Sequence, residues 1–478
     1  MNTQIVCDLH LHSKYSRAVS PQMVVSEMAR WAKLKGIDIL GTGDFTHPLW
    51  LREIKGNLKE SEEGLYSLID SDNKTKFLLT AEISSIYSQG GKGRRIHNLV
   101  LAPSIETVEK INKELMRRGC NLMSDGRPII GIKSRDLVEI ILGIDANCMI
   151  VPCHVWTPWF SLYGSESGFD SILECYGDMS KYIYAIETGL SSSPEMNWRI
   201  KELGNRSILS NSDSHSGAKL GRETTVLRQT ANGKRQTKNN SISFKDIIVA
   251  IKREENCEWE IGYTTEFYPE EGKYHFTGHR NCLVRQSPQE TKKLGIICPK
   301  CGKRLTIGVM HRVEQLASWP EMPPTYTDIK VGGQKVKMIT SPKKTKTPYV
   351  MLVPLVEILA EAMGSTTSSV KVIAEYNRLI NIFGTEFNIL LTTPISDIEK
   401  SAGERIGEGI KKVREGDIVV DPGYDGTFGV VKIWNLPSKK SEIEKNPFQS
   451  PGDSADSMQV KSEDNNSENN QDQLSLEL

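Results

Sequence analysis

Histidine and carboxylate residues recur at the ends of short apolar segments in the first half of this chain. The stretch CDLHLHSKYS places His10 and His12 one residue apart, and residues i and i+2 of a strand point to the same face of a sheet. Other apolar segments end in or carry further potential ligands, which are Asp44, Glu82, His97, His154, Asp213 and His215. This pattern of residue types predicts a metal cluster.

The number and type of these ligands indicate which ions would bind. Mixed imidazole and carboxylate ligands suit Zn, Mn or Fe better than Ca or Mg. The ligands exceed the needs of one ion, so we expect two or three divalent ions (Zn, Mn or Mg), bridged by a carboxylate such as Glu82. Two ions about 3.5 to 4 Å apart together activate a water molecule and neutralise a phosphate oxygen.

The elements that must position these ligands are short strands that alternate with helices. Helical patterns such as PQMVVSEMARWAKLKG lie between the apolar segments and carry their own start and stop signals. Alternation of this kind predicts an α/β fold with a mostly parallel sheet or barrel. The C-terminal ends of barrel strands converge on one rim, which would bring the ligands together.

The motifs DLHLHSKYS, GTGDFTH, TAEIS, IHNLVL, PCHVWTP and SNSDSHS, in this order, resemble those of the PHP (polymerase and histidinol phosphatase) superfamily over about residues 4–230. The resemblance implies a distorted (βα)7 barrel whose multi-metal rim hydrolyses phosphoesters, with Asp213 and His215 as catalytic residues. The ligands that it implies are His10, His12, Asp44, Glu82, His97, His154, Asp213 and His215. Two positions depart from the family pattern: Arg17 replaces a common acid or histidine, and His47 follows Asp44 by three residues.

A second cluster of potential ligands follows residue 255. His279 and Cys282 are separated by two residues, and so are Cys298 and Cys301 in the stretch ICPKCGKRL. Two ligand pairs at this spacing are typical of a structural zinc site, because four protein ligands leave no open position for catalysis. His275 and Cys257 compete with His279 for the place of the fourth ligand. Unrelated thiols in a core are the alternative.

Basic and aromatic residues provide candidate DNA contacts. The stretch IKVGGQKVKMITSPKKTK contains six lysines and no acid, and phosphate contacts or a solvated loop would both explain it. Aromatic residues in HVWTPWFSLYG follow His154 directly and would either stack on a nucleotide or pack in the barrel shell. The predicted DNA-binding residues are Trp156, Trp159, Lys335, Lys337, Lys343 and Lys344.

The last third of the chain reads as helices, a hairpin and a polar tail. The stretch GERIGEGIKKVREG suggests a helix-hairpin-helix clamp, and DIVVDPGYDGTFGVVKIW predicts a β-hairpin. Residues 437–472 are polar and poor in aromatics, which predicts disorder. The final QLSLEL resembles the peptides with which bacterial proteins bind the replication sliding clamp. Its predicted contacts are Gln473, Leu474, Leu476 and Leu478.

Composition excludes several classes of protein. The chain has 478 residues with 60 basic and 60 acidic side chains, which argues against a histone-like polycation. Nine cysteines, five of them scattered singly, do not form a secreted disulfide framework and indicate a reduced compartment. No apolar run approaches the roughly 18 to 20 residues of a membrane span. We expect a cytoplasmic, nucleoid-associated protein.

The order of parts resembles the endonuclease Q family of DNA repair nucleases over about residues 4–435, through GKYHFTGHRNC, ICPKCGKRLTIGV and PGYDGTFG. The resemblance implies incision on the 5′ side of deoxyuridine, deoxyinosine and abasic sites. The alternatives are a phosphatase of the histidinol-phosphate type and a non-catalytic PHP scaffold tethered to the clamp. The predicted parts are a PHP barrel (1–255), a zinc knuckle (256–320), a helical DNA-binding module with a terminal hairpin (321–436), a disordered linker (437–472) and a clamp-binding peptide (473–478).

Overall fold

The computed structural model describes residues 4–230, 242–320, 325–331, 334–342 and 345–434. The first twelve strands all precede residue 267 and are β1 (Gln4–Asp8), β2 (Ile39–Gly41), β3 (Leu58–Glu62), β4 (Leu65–Leu68), β5 (Lys76–Gln89), β6 (Lys92–Ala102), β7 (Ile129–Ile130), β8 (Met149–Pro152), β9 (Ala185–Glu187), β10 (Ser207–Leu209), β11 (Thr224–Gln229) and β12 (Trp259–Glu266). The later strands are β13 (Thr277–His279), β14 (Val284–Gln286), β15 (Thr325–Val331), β16 (Gln334–Thr340), β17 (Tyr349–Met351), β18 (Val419–Asp421) and β19 (Val430–Lys432).

The α-helices lie between and after these strands. They are α1 (Val25–Lys35), α2 (Pro48–Asn57), α3 (Ile105–Arg117), α4 (Ser134–Ile144), α5 (Ile172–Tyr176), α6 (Pro194–Trp198), α7 (Phe244–Lys252), α8 (Pro288–Leu294), α9 (Val309–Leu316), α10 (Leu355–Ala362), α11 (Val370–Phe383), α12 (Ile395–Ala402) and α13 (Glu404–Glu415). In the described ranges, every helix is too short or too polar to cross a lipid bilayer.

The N-terminal half is a mixed α/β sheet, which confirms the predicted fold class. Strands β1, β2 and β5 are parallel neighbours, as the strand–helix alternation predicts. The order of the next strands differs, because β5 pairs antiparallel with β6, and β6 pairs antiparallel with β8. Strands β9 and β10 form a separate parallel pair. The distorted (βα)7 barrel remains a prediction.

The antiparallel β5–β6 pair has a local cause in the sequence. Gly90 and Gly91 join the two strands with φ values of 62° and 73°. This left-handed backbone is accessible to glycine at little cost, and it closes a tight hairpin with no crossover helix. The hairpin places Glu82 and His97 on adjacent strands, because Glu82 pairs with Leu99 and Ser84 pairs with His97. Two predicted ligands are therefore brought together by one turn.

Helices α10–α13 share a hydrophobic core with the strands at one end of the large sheet. This core includes Tyr263 of β12, Val336 of β16 and Leu355 of α10. A buried ion pair adds a polar contact, since Lys35 Nζ of α1 lies 2.7 Å from Glu386 Oε2. The predicted boundaries between parts remain predictions, but packing across this junction is continuous.

Two smaller hairpins complete the fold near the loops that carry predicted metal ligands. Strands β13 and β14 are antiparallel and precede α8, and a small cluster of Val284, Cys298 and Leu305 packs beside them. Strands β18 and β19 form the hairpin that the DIVVDPGYDGTFGVVKIW stretch predicts. Its loop binds the segment after β12, because Gly423 N donates to Glu270 O over 2.8 Å. The C-terminal hairpin therefore lies against the segment that follows β12.

Candidate metal centre

A buried carboxylate, Glu82, lies at the centre of four imidazoles. Its Oε1 atom lies 2.5 Å from His97 Nδ1 and 3.1 Å from His154 Nε2. Its Oε2 atom lies 3.3 Å from His12 Nε2 and 3.8 Å from His10 Nε2. Each carboxylate oxygen thus faces two histidines, which is the arrangement that a carboxylate bridging two cations requires.

Asp213 and His215 border the same centre from the loop after β10. Asp213 Oδ1 lies 3.2 Å from His12 Nε2 and 3.7 Å from His10 Nε2. His215 Nδ1 donates to the backbone oxygen of Asp213 over 2.9 Å, which fixes its tautomer and leaves Nε2 as the ligand atom. The ligand atoms of His12, Asp213 and His215 lie within 4.8 Å of one another.

Two further carboxylates orient the first pair of histidines from behind. Glu187 holds His10 Nδ1 with both oxygens at 3.0 Å, and Asp44 Oδ1 holds His12 Nδ1 at 3.0 Å. These contacts aim both Nε2 atoms at Glu82 and Asp213. A carboxylate on the outer nitrogen of a ligating histidine fixes its tautomer and raises its basicity.

Asp44 therefore has a different place from the one predicted for it. Its Oδ2 atom accepts hydrogen bonds from Ser13 N and Ser13 Oγ at 2.6 Å and from Ser16 Oγ at 2.8 Å, while Oδ1 is bonded to His12. With both oxygens engaged, Asp44 positions His12, and its predicted role as a metal ligand remains a prediction. His47 is also outside the centre, because it caps α2 through Trp50 N and stacks on Tyr15.

The polar atoms of the centre fit divalent cations. His10 Nε2, His12 Nε2 and Asp213 Oδ1 are buried and make no hydrogen bond to the described residues. A buried polar atom without a partner costs about 1–3 kcal/mol, and a cation among these atoms would remove that cost. Imidazole nitrogens with carboxylate oxygens suit Zn and Mn.

The charges around Glu82 favour its ionised form. Burial raises the pKa of Glu82, but the His97 imidazole and the Arg127 guanidinium outweigh burial and hold the pKa well below its ordinary value. Burial lowers the pKa of His97 and of His215 to about 4, in spite of the neighbouring carboxylates. Burial lowers the pKa of His10 and of His12, but the carboxylates of Glu187 and Asp44 raise it well above its ordinary value. Metal binding at these two imidazoles would release their protons.

The backbone at three of these positions is strained. Asp44, His154 and Asp213 have φ values of 49°, 30° and 45°, in the left-handed region that residues other than glycine seldom adopt. Such conformations cost about 1–3 kcal/mol each and cluster at functional sites. The strain allows each side chain to turn toward the centre directly after its strand.

Replacing Asp44 by asparagine is expected to weaken metal binding by about 10- to 100-fold, because the orienting charge behind His12 is lost while the shape is kept. Manganese binding measured by isothermal titration calorimetry tests this expectation. Asp178→Asn, an exposed aspartate that pairs with Arg135, is the matched control. Unchanged manganese affinity in Asp44→Asn would show that the Asp44–His12 contact has no role in metal binding.

Sequence reasoning missed two residues of the centre. Arg127 Nη1 lies 3.1 Å from Glu82 Oε2, in a loop where no strand-end rule applies. Glu187 lies in the strand pattern YAIET, which was expected to lead to the same rim, but it was not included among the predicted ligands. Arg127 neutralises Glu82 and Glu187 orients His10. Such roles can be predicted only when the neighbouring residue in three dimensions is known.

An aromatic-walled cavity opens directly beside the metal centre. His154 and Asp213 form one side, and Tyr274 and Phe428 line the other. Trp159 packs edge-on against Tyr274, with 5.4 Å between ring centroids. Phe428 arrives from the loop between β18 and β19, so the C-terminal hairpin completes this cavity.

The structure corrects the prediction for Trp156. Its side chain is fully buried and Nε1 donates to Asn197 Oδ1 over 2.7 Å. Trp156 is therefore a packing residue of the main hydrophobic core and cannot stack on DNA. Trp159 is half-buried and remains available as a candidate contact.

The four predicted zinc ligands come together in the region of β13 and β14. The ligand atoms of His279, Cys282, Cys298 and Cys301 lie within 4.8 Å of one another, and His279 Nδ1 is 3.3 Å from Cys301 Sγ. The competing ligand His275 lies elsewhere, in the wall of the aromatic cavity. The other competitor, Cys257, lines a groove beside β12.

The predicted lysines are divided between described and undescribed residues. Lys335 and Lys337 lie on β16, in register with Lys330 and Asp328 of β15. Lys337 Nζ lies 4.0 Å from the ring centroid of Tyr326. Outside the described residues lie Lys343, Lys344, Gln473, Leu474, Leu476 and Leu478.

A protein-family model described as the MJ0043 C-terminal domain matches residues 354–417, which contain α10–α13. The uncharacterised protein MJ0043 of Methanocaldococcus jannaschii is 31% identical over 280 residues, which make up 58% of this chain. They make up 31% of MJ0043, so this match spans about a third of that protein.

Two solved structures match almost the whole chain. The lesion-specific endonuclease PfuEndoQ from Pyrococcus furiosus is 30% identical, with a TM-score of 0.74, over 92% of this chain and 98% of that one. An endonuclease Q bound to a 27-mer duplex with an abasic lesion at its active site is 31% identical, with a TM-score of 0.74, over 92% of this chain and 99% of that one. By this similarity along nearly its full length, the chain belongs to the endonuclease Q family of the PHP superfamily, a family of metal-dependent nucleases.

Proposed function

We propose that this protein is a DNA repair endonuclease that hydrolyses the phosphodiester on the 5′ side of deoxyuridine, deoxyinosine and abasic sites. The observation that carries the proposal is the junction of the Glu82-centred metal cluster with the cavity lined by Tyr274 and Phe428. The solved relatives support it, because one is a lesion-specific endonuclease and the other holds a duplex with an abasic lesion.

The residues that would hold the ions fall into overlapping groups. Glu82 with His97 and His154 form one group, and His12 with Asp213 and His215 form another. A third group, of His10, His12 and Glu82, shares one residue with each. Ions bound there would lower the pKa of a water molecule and neutralise charge on the scissile phosphate. The Arg127 guanidinium, which is partly exposed beside Glu82, is placed to add positive charge at a phosphate oxygen.

The aromatic wall beside the metal centre, around a cavity of about 70 Å³, offers a surface against which an extruded nucleotide would be inspected. A base must leave the stack to be read along its edge, and extrusion costs least at mismatched or damaged positions. Tyr274 and Phe428 offer aromatic surfaces, and Lys273 and Ser191 offer polar groups in the same wall. A nucleotide against this wall would have its phosphate next to Asp213 and His154. This arrangement couples lesion recognition to incision.

Binding of the duplex would extend over the later parts of the chain. We assign phosphate contacts to Lys335 and Lys337 on β16, and to Lys343 and Lys344, since each neutralised phosphate releases counterions. The proposal includes one structural zinc at the His279, Cys282, Cys298 and Cys301 group. Zinc there would stabilise a region whose own core is only three buried residues. Repair of cellular DNA implies a nucleoid-associated protein of the cytoplasm.

A comparison of three substrates separates the proposal from its rivals. We expect the manganese-loaded protein to cut a uracil-containing duplex and to leave an undamaged duplex and p-nitrophenyl phosphate largely intact. Efficient hydrolysis of p-nitrophenyl phosphate without DNA incision would instead support a small-molecule phosphatase. Hydrolysis of none of the three would support a non-catalytic scaffold.

The proposed protein partner is the bacterial sliding clamp, bound through Gln473, Leu474, Leu476 and Leu478. Deleting residues 473–478 is expected to leave incision of a short linear duplex unchanged and to abolish any stimulation by a clamp loaded on circular DNA. A short peptide binds through a few apolar anchors, and a tether raises its effective concentration. A titration of the clamp with the 473–478 peptide and its Leu476→Ala form measures the contact. Equal binding of both peptides would exclude this mode of recognition.

A further inference from the structure

A second cavity, of about 320 Å³, lies on the other side of helix α9 from the metal centre. Val309 lines the cavity beside Asp213, and the next residue, Met310, lines this second cavity. Its walls include Trp198 and Trp319, together with Lys201 and Lys346. A volume of this size falls within the range of small-ligand sites. The second cavity is therefore close to the proposed active site but separate from it.

One wall of the second cavity offers an aromatic surface that is held in place. Half of the Trp319 surface is exposed. Its backbone is fixed to Arg199, since Trp319 N donates to Arg199 O over 3.3 Å and Arg199 Nε donates to Trp319 O over 3.3 Å. Arg199 is in turn paired with Glu314 at 2.6 Å. An exposed indole on a fixed backbone is a surface on which a planar base can stack without an ordering cost.

The same cavity carries the cations Lys201 and Lys346 and one carboxylate, Glu195. Lys346 Nζ donates to the carbonyl oxygen of Gly204 over 3.2 Å. Burial lowers the pKa of the Lys346 ammonium, and the nearby Arg253 guanidinium lowers it further. A bound anion would relieve both effects.

Lys346 also connects this cavity to a longer groove. Thr345 and Lys346 line a neighbouring cavity of about 460 Å³, whose wall includes Arg253. Arg228 in the same groove is already paired with Glu260 at 2.8 Å. Successive cations beside an aromatic surface are the features by which proteins hold single-stranded nucleic acid, with bases stacked and phosphates tracked.

We propose that the second cavity binds one unstacked nucleotide, with its base on Trp319 and its phosphate at Lys346. The inference rests on the proposed function, since the nucleotide would belong to the DNA that the metal centre cuts. A free nucleoside monophosphate has the same chemistry and is the other source. Recognition of a nucleotide away from the cut position would add affinity for DNA with locally unpaired strands.

The test measures binding of two probes to the full-length protein. One is an undamaged ten-nucleotide oligothymidylate, and the other is thymidine 5′-monophosphate. The Trp319→Ala/Lys346→Gln variant is expected to bind the oligothymidylate about tenfold more weakly than the wild type, which is within the effect of removing one base-stacking contact. Lys346→Arg, which keeps the charge, is expected to retain binding, as is the control Lys110→Gln/Tyr182→Ala on exposed surface elsewhere.

The two probes identify the source of the nucleotide. Weakening with the oligothymidylate alone supports a DNA strand, and weakening with the monophosphate as well supports a general nucleotide site. If the wild type binds neither probe, or the double variant binds both as the wild type does, the inference is wrong. Should the double variant be misfolded by thermal melting, Trp319→Ala alone, at a half-exposed position, replaces it. Wild-type protein that binds the probes but fails to incise lesion DNA would contradict the proposed function and leave this inference standing.

Discussion

Asp213→Asn protein is expected to lose incision by at least about a thousandfold while it still binds lesion DNA. The substitution removes the charge from a buried carboxylate that lies 3.2 Å from His12 Nε2 and 3.7 Å from His10 Nε2. Metal ions contribute several kcal/mol to stabilising a phosphoryl transition state, and each 1.36 kcal/mol is a factor of ten in rate. The phosphate-binding surfaces elsewhere in the chain are unchanged.

Single-turnover incision and fluorescence anisotropy measure the two properties separately. Asp178→Asn, an exposed aspartate far from the centre, provides the matched control. Wild-type incision in Asp213→Asn, with an unchanged metal content, would remove Asp213 from the metal site. A parallel loss of DNA binding would show instead that Asp213 supports the fold of the DNA-binding surface.

Cys298→Ser protein is expected to lose one equivalent of zinc and the order of the region from about residue 275 to 315. The four ligand atoms lie within 4.8 Å of one another, and the hydrophobic cluster packed beside them contains three buried residues, Val284, Cys298 and Leu305. Zinc binding at such sites contributes about 10–16 kcal/mol in isolated zinc peptides, and this energy is folding energy. The second cavity and the Phe428 wall both adjoin this region, so DNA binding should fall as well.

Zinc stoichiometry and limited proteolysis measure this loss. Cys120→Ser, at a cysteine outside the predicted and observed groups of ligands, is the control. A Cys298→Ser protein with full zinc content and normal resistance to protease would show that the Cys298 thiol is not a ligand.

The residues that meet at the centre were predictable because potential metal ligands lie in strands or directly after them. His10, His12, Glu82, His97 and His154 all lie in strands or directly after them, where parallel and antiparallel strands alike deliver side chains to one rim. Residue type and periodicity therefore predicted that these five residues meet, although the order of the strands was not known. The meeting of His279, Cys282, Cys298 and Cys301, the four residues of the proposed zinc site, was predictable for a related reason, since both pairs lie within short turns whose spacing fixes the distance between their side chains.

The details that the sequence left unresolved depend on contacts between distant segments. Asp44 ends a strand like the other ligands, and only the positions of Ser13, Ser16 and His12 show that both of its oxygens are occupied. The burial of Trp156 follows from its contact with Asn197, which lies 41 residues away. A one-dimensional pattern identifies a residue type at a rim but cannot identify its neighbours.

The strand directions were mispredicted for a different reason. The alternation of strands and helices favoured a mostly parallel arrangement, and this held for β1, β2 and β5. Gly90 and Gly91 were overlooked as a turn, although a pair of adjacent glycines between two apolar runs is a hairpin signal. The antiparallel β5–β6–β8 arrangement follows from that turn.

The position of the cut in a single-lesion duplex tests the central claim most directly. A duplex labelled at the 5′ end of the strand that carries one deoxyuridine is incubated with the manganese-loaded protein, and the product is sized against a sequence ladder. We predict one labelled fragment that ends at the nucleotide before the deoxyuridine, with the same result for deoxyinosine and an abasic site. Chelation of the metal should abolish this fragment, and an undamaged duplex should give none. A labelled fragment that retains the lesion, or equal cutting of the undamaged duplex, would contradict the account.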